Sequence, residues 1–211
     1  FDVDYSVLPK TPREIFFDIS SACNHKCFFC SNSEYSINLT INTSLVFRLL
    51  KEAAEIGVSN VALYATGEPF LHKDLAKMTK EAKRLNISYV FISTNGALAT
   101  PKKARPVLEA GLDSIKFSVN GFNRENYFKV HGRDQFNRVL SNIKWFWDFR
   151  KFSGLKYKIF VSSVQSSKNK EDWNEMYRQF SPYVDEIVIR GVSNQGGNMY
   201  INNVTEEINE N

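Results

Sequence analysis

The sequence predicts an α/β fold, a partial (β/α)6 TIM-like barrel of parallel strands with outer helices, from three observations. Short β-prone runs alternate with stretches of helical period six times, the pattern of a parallel sheet whose strands are joined by crossovers. Each β-prone run feeds into a polar or glycine-containing segment: the cysteines, then TGEP, STNG, SVNG, SSVQ and IRG. In parallel α/β folds the loops after strand C-termini carry the chemistry. An open doubly wound sheet satisfies the alternation equally well. Six separate strand ends that all contribute such residues fit a barrel mouth better than a single crevice.

The elements follow in order. Residues 1–12 contain two prolines and no clear period, and read as a lead-in across one end of the barrel. Residues 14–20 (EIFFDIS) form the first predicted strand and deliver the chain into the cysteine loop. Asn42-Thr43 offers a helix cap, residues 44–56 carry apolar positions at helical spacing (Val46, Leu49, Leu50, Ala53, Ala54), and Gly57 closes the helix. Strands are predicted at 60–65, 88–93, 114–119, 157–164 and 186–190, with helices at 74–85, 102–110, 136–151 and 171–180. The barrel thus occupies residues 13–192. Residues 193–211 read as a Gly/Asn-rich linker and an acidic tail, loop or disorder.

Bulk composition narrows the function classes. With 211 residues, 43% hydrophobic and 24% charged, the chain suits one large globular domain. A net charge of +4 with interspersed signs does not point to nucleic acid. No apolar run approaches the roughly 18 residues of a membrane span, and no secretory signal is visible, so a reducing cytoplasm is the expected compartment. The numbering starts at Phe1 without methionine, so the chain reads as trimmed or processed there.

All three cysteines, Cys23, Cys27 and Cys30, fall within eight residues. An odd trio is too small for a disulfide framework but offers a metal centre three soft anionic ligands. The bland readings are small buried hydrophobes or a fragment of a zinc site with His25 as a fourth ligand.

CNHKCFFC has C-x3-C-x2-C spacing with an aromatic before the last cysteine, and by it the chain resembles the radical S-adenosylmethionine (radical SAM) enzymes. Three further segments match in order: Thr66–Pro69 resembles the family's G-G-E-P, Ser93–Gly96 its S/T-N-G, and Ser118–Gly121 its S-x-D-G. The resemblance spans roughly residues 12–192. It implies a [4Fe–4S] cluster on Cys23, Cys27 and Cys30, with one iron open to chelate S-adenosylmethionine. An electron then splits a C–S bond to give a 5′-deoxyadenosyl radical that abstracts hydrogen from a substrate. An electron donor such as flavodoxin or ferredoxin is implied, with a small-molecule or a peptide/protein substrate.

The resemblance also assigns residues to the cofactor. Glu68 would accept from the ammonium of S-adenosylmethionine, with Thr66, Gly67 and Pro69 shaping the turn. Phe29 would pack by the adenine, and Asn95 belongs to the S/T-N-G segment. Ser118 would bond ribose or carboxylate, and Arg133 would pair with the methionyl carboxylate. Ser163 and Gln165 would face ribose or substrate, and Arg190 and Val192 would flank adenine. Asn120 replaces the usual aspartate. His72 reads as structural, His131 as a lone loop histidine without a catalytic part, and Trp145, Trp147 and Trp173 as packing aromatics.

Residues 118–143 look most like the subfamily that often carries a C-terminal SPASM domain for auxiliary clusters. Its members include peptide and protein maturases, aminoglycoside-type dehydrogenases and lipopolysaccharide-biosynthesis proteins. No cysteine follows Cys30, so either the native chain continues or one cluster suffices. Peptide/protein or carbohydrate modification is the substrate expectation. The alternatives are a glycyl-radical activating enzyme and a non-catalytic Fe–S or zinc-binding module on the same fold.

Overall fold

A computed structural model describes residues 11–35, 37–165 and 173–192; the lead-in through residue 10 and the tail from residue 193 lie outside the described residues. Six strands form one sheet: β1 (Glu14–Phe16), β2 (Asn60–Ala62), β3 (Tyr89–Thr94), β4 (Ser114–Ser118), β5 (Lys158–Gln165) and β6 (Glu186–Gly191). They lie side by side in sequence order, every pair parallel. A doubly wound sheet would reverse direction at a switch point. This one never does, so the winding is that of a barrel, with β1 and β6 not paired to each other among the described residues.

The helices are α1 (Asn32–Tyr35), α2 (Thr43–Glu55), α3 (Leu75–Arg84), α4 (Pro101–Glu109), α5 (Arg124–His131), α6 (Phe136–Ser153) and α7 (Trp173–Phe180). α2 begins where Asn42 Oδ1 accepts from the Ser44 amide at 2.8 Å, and it buries Val46, Leu50 and Ala53 at helical spacing. Alternation in β3 buries Val90, Ile92 and Thr94 and leaves Tyr89, Phe91 and Ser93 partly open. The buried face joins Ile115, Phe117, Ile159 and Val161 against Leu50, Met78, Leu108, Ile143 and Phe146. Fully burying each such side chain contributes about 1.5–3 kcal/mol. The opposite, partly open face is the inner wall.

Two expectations change. β1 and β2 are shorter than the β-prone runs, β1 because the chain leaves the sheet after Phe17 to pair elsewhere. Ser20 bridges Thr40 in antiparallel fashion, and the Ser21 and Ile41 amides donate to Leu39 O and Ile19 O. α5 is an addition. Its signals were present in the sequence: Asn123 caps the Asn126 amide at 2.9 Å, and Gly132 ends the helix at φ 66°.

Candidate cluster and cofactor site

The bridge of residues 19–21 to 39–41 pins both ends of the cysteine loop at its base. Two further contacts hold its middle. On one side, the last carbonyls of α5, which helical bonding leaves unsatisfied, accept from the loop: Lys26 N–H donates to His131 O at 3.0 Å and Phe28 N–H to Val130 O at 3.1 Å.

On the other side lies the turn after β2. A Cβ on Gly67 would sit 2.2 Å from Ser20 O and 2.4 Å from Ala22 O, so only glycine lets the two backbones meet. The Glu68 amide donates to Ala22 O at 2.8 Å. The Glu68 carboxylate is 1% exposed. It accepts from the Phe70 amide (3.1 Å), Thr94 Oγ1 (2.7 Å) and the Asn95 amide (2.8 Å). Burial pushes its pKa up, against the pull of these donors. The side chain expected to reach for an ammonium therefore ties the turn to the end of β3. Asn95 completes the tie, its Nδ2 donating to Asn24 Oδ1 at 2.8 Å and lying 3.8 Å from Cys23 Sγ.

The three thiols lie within electrostatic reach of one another. Burial, then the charges of Cys30 and Cys23, push the Cys27 thiol well above the ordinary range. Burial raises Cys23 too, with contributions from Glu68 and Cys30. Three mutually repelling thiolates in a low-dielectric pocket call for a positively charged centre. The Tyr127 hydroxyl, buried without a partner and within electrostatic reach of Cys27, Glu68 and Cys23, also awaits a group there. The donor set fits an Fe–S cluster.

His131 corrects an expectation. It is the last residue of α5, 1% exposed, and stacks on Tyr127 with ring centroids 4.2 Å apart. Its Nε2 accepts from the Asn120 amide at 3.1 Å, so Nδ1 carries the proton and donates to Cys27 Sγ at 3.2 Å. Burial holds the ring neutral. The sequence reading missed this contact because α5 was missed. His25, Cys27 and His131 place ligand atoms within 4.8 Å of one another. Both His131 nitrogens are already engaged, however, and the His25 Nε2–H donates to Gln135 Oε1 at 2.9 Å, which leaves Nδ1 unpartnered.

The other predicted residues are placed as follows. Ser118 is half-buried, its Oγ 3.3 Å from Ser93 Oγ, on the inner wall. Thr66 is exposed and bonds Asp18 through its hydroxyl (2.5 Å) and amide (3.3 Å). Pro69 is buried at the start of a short 3-10 turn, Pro69–Leu71. Phe29 packs edge-on against Phe28. Arg133 is exposed just beyond α5, and its charge, after burial, helps lower the His25 pKa. Ser163 departs from expectation. It is 1% exposed, its Oγ 3.5 Å from Asn120 Oδ1, because strand alternation gives the inner position to Ser162, the register partner of Ser118. Asn120 Oδ1 accepts from the Val164 amide at 2.6 Å and so bonds the ends of β4 and β5 together. Gln165 and Val192 are half-buried and Arg190 is exposed. His72 is structural, its Nε2–H donating to Ile41 O at 2.9 Å. Trp145 stacks on Phe149 and Trp173 tilts onto Phe122.

Comparison with known proteins meets this geometry. The profile of the Radical SAM superfamily matches residues 18–160. A probable GTP 3′,8-cyclase of Saccharolobus solfataricus is 34% identical over 133 residues, 63% of this chain and 42% of its own. The GTP 3′,8-cyclase of Clostridium acetobutylicum is 29% identical over 129 residues, 59% of this chain and 40% of its own. The chain thus spans about two fifths of the length of these relatives. Among solved structures, Streptococcus suis SuiB bound to S-adenosylmethionine superimposes with a TM-score of 0.75 at 20% identity, covering 90% of this chain and 43% of SuiB. That likeness concerns the fold. No helix among the described residues is long and apolar enough to cross a membrane.

Proposed function

The chain belongs to the radical SAM superfamily, and from that premise we propose that it performs hydrogen abstraction on a small-molecule substrate, with Cys23, Cys27 and Cys30 as the cluster ligands. It is an enzyme, and its cofactors are a [4Fe–4S] cluster and S-adenosylmethionine. When bound and reduced, the pair supplies one-electron cleavage of a C–S bond, giving methionine and a 5′-deoxyadenosyl radical.

The chain's own residues do the rest. Gly67, Glu68 and Asn95 fix the loop that presents the thiols. The His131 Nδ1–H donates to the Cys27 sulfur, drawing charge from the ligand and favouring the reduced state. Exposed Arg133 is free to turn toward a carboxylate, which its guanidinium can grip with two parallel bonds. In this proposal Phe29, Ser118 and Val192 contact the cofactor, Thr66 and Pro69 shape the turn that holds Glu68, and Ser163 supports the ends of β4 and β5 from beneath.

The observation that carries this reading is three thiols within electrostatic reach of one another on a pinned loop, with a histidine N–H aimed at one of them. Relatives named for action on GTP favour a small molecule. SuiB was solved with a precursor peptide, but at 19% identity that speaks for the fold. Anaerobic reconstitution with iron and sulfide, then reduction with S-adenosylmethionine present, is expected to release 5′-deoxyadenosine. A protein that assembles a cluster yet releases none is the non-catalytic module, and tightly bound zinc without Fe–S colour marks the structural alternative. An acidic one-electron donor such as flavodoxin or ferredoxin belongs to the same proposal.

A further inference from the structure

The inner wall of the barrel has a character that the radical chemistry does not require. Phe16, Tyr64, Tyr89 and Phe91 meet there, with ring centroids 5.6–5.9 Å apart. Phe16 is 51% exposed, so the shelf is open. Lys116, in register with Ser93 on one side and Phe160 on the other, places Nζ 5.6 Å from the Tyr64 ring centroid and 3.5 Å from its hydroxyl. Burial, and then the charge of Arg190, push the Lys116 ammonium below its ordinary value; Arg190 acts on Tyr64 as well.

Neither cation has a carboxylate within salt-bridge distance among the described residues. Comparable cations elsewhere do: Lys83 pairs with Asp113 at 2.9 Å and Arg150 with Asp185 at 2.6 Å. Asp18 is bound to Thr66, Glu14 influences Tyr64 without pairing to either cation, and Glu186, in register with Phe160 one strand beyond Lys116, forms no salt bridge with either. A half-buried lysine kept beside a second cation is unfavourable unless an anion joins them.

Resting on the radical SAM reading, we propose that this wall is the substrate subsite for a phosphate-bearing small molecule with a flat ring. Lys116 and Arg190 take the phosphate, and the Phe16–Tyr64–Phe91 shelf takes the ring. Two cations and the Tyr64 hydroxyl suit a dianion better than a single carboxylate. Edge-on rings with one exposed face suit a planar group. An uncharged peptide segment would leave both cations without a counter-charge.

The test is calorimetric binding by the full chain, carrying its cluster and S-adenosylmethionine, with GTP, guanosine and inorganic pyrophosphate as probes. GTP is expected to saturate the site and guanosine to bind at least about tenfold more weakly. Lys116→Met is expected to weaken GTP and pyrophosphate about tenfold or more, with Lys116→Arg restoring most of it. Lys116→Met is also expected to raise the melting temperature, because it removes a desolvated cation, whereas a lysine serving only structure would leave it lowered. No saturable binding of either phosphate probe by the unaltered chain, or equal binding by Lys116→Met, overturns the subsite. Reductive cleavage of S-adenosylmethionine by the unaltered chain is measured in parallel. Its failure overturns the enzyme reading and leaves the binding result standing by itself.

Discussion

At the rim of the barrel the Glu68 carboxylate is 1% exposed and accepts three hydrogen bonds from its own chain. On the inner wall Lys116 is half-buried and, among the described residues, has no carboxylate partner. Both sites spend stability to keep a charged group out of water. At the rim the charge is satisfied internally, so it builds the frame of the site. On the wall it is left for something the chain does not contain. A buried polar group with all its partners is architecture, and one without them marks where a ligand goes.

Variants can break or sharpen that contrast. The largest effect is expected at the ligands, where Cys27→Ala abolishes both cluster and 5′-deoxyadenosine release, read by iron content and chromatography. Glu68→Gln comes next, because its amide NH2 would meet a donor where an acceptor is needed. A loss of roughly 2–4 kcal/mol in denaturant unfolding is expected; an unchanged midpoint would remove Glu68 from the frame. Gly67→Ala forces a Cβ into the Ser20–Ala22 backbone, at about 1–3 kcal/mol, with disturbed cluster loading as its visible sign. His131→Leu keeps the cluster but removes the donor to Cys27, so the reduction potential is expected to fall in an EPR-monitored titration.

The smallest effect is a slope. Lys116 has its folded pKa lowered, so between that value and its unfolded value the unfolded chain binds more protons. Stability therefore rises as pH climbs through this alkaline window, and Lys116→Met is expected to flatten that rise. Tyr64 lies beside Lys116, Arg190 acts on both through its charge, and Glu186 sits in register beyond Phe160; Tyr64, with its own pKa raised by burial, adds an opposing fall at the alkaline end.

Much of the rim was legible in the chain because its signals are local. Cys23, Cys27 and Cys30, the turn at Gly67–Pro69 and the segment at Asn95 each show their chemistry within a few residues. α5 escaped for a physical reason: its amphipathic signal is weak, since buried Tyr127, Val130 and His131 share the helix with exposed Phe128, and only its caps announced it. Ser163 was placed on the wrong face because strand alternation has a period of two. Only the register with Ser118 shows that the inner position belongs to Ser162.

By itself the sequence determined the barrel class, through six β-prone runs alternating with helical periodicity, and it singled out the three thiols proposed as ligands, through their spacing. Those are properties of adjacent residues, and local periodicity and ligand chemistry suffice to state them. The tertiary structure decided that Glu68 is a clamp, that His131 reaches across 104 positions to Cys27, and that Lys116 lies beside the Tyr64 ring within reach of the Arg190 charge. Each depends on which strands become neighbours, and no local pattern in the chain encodes that.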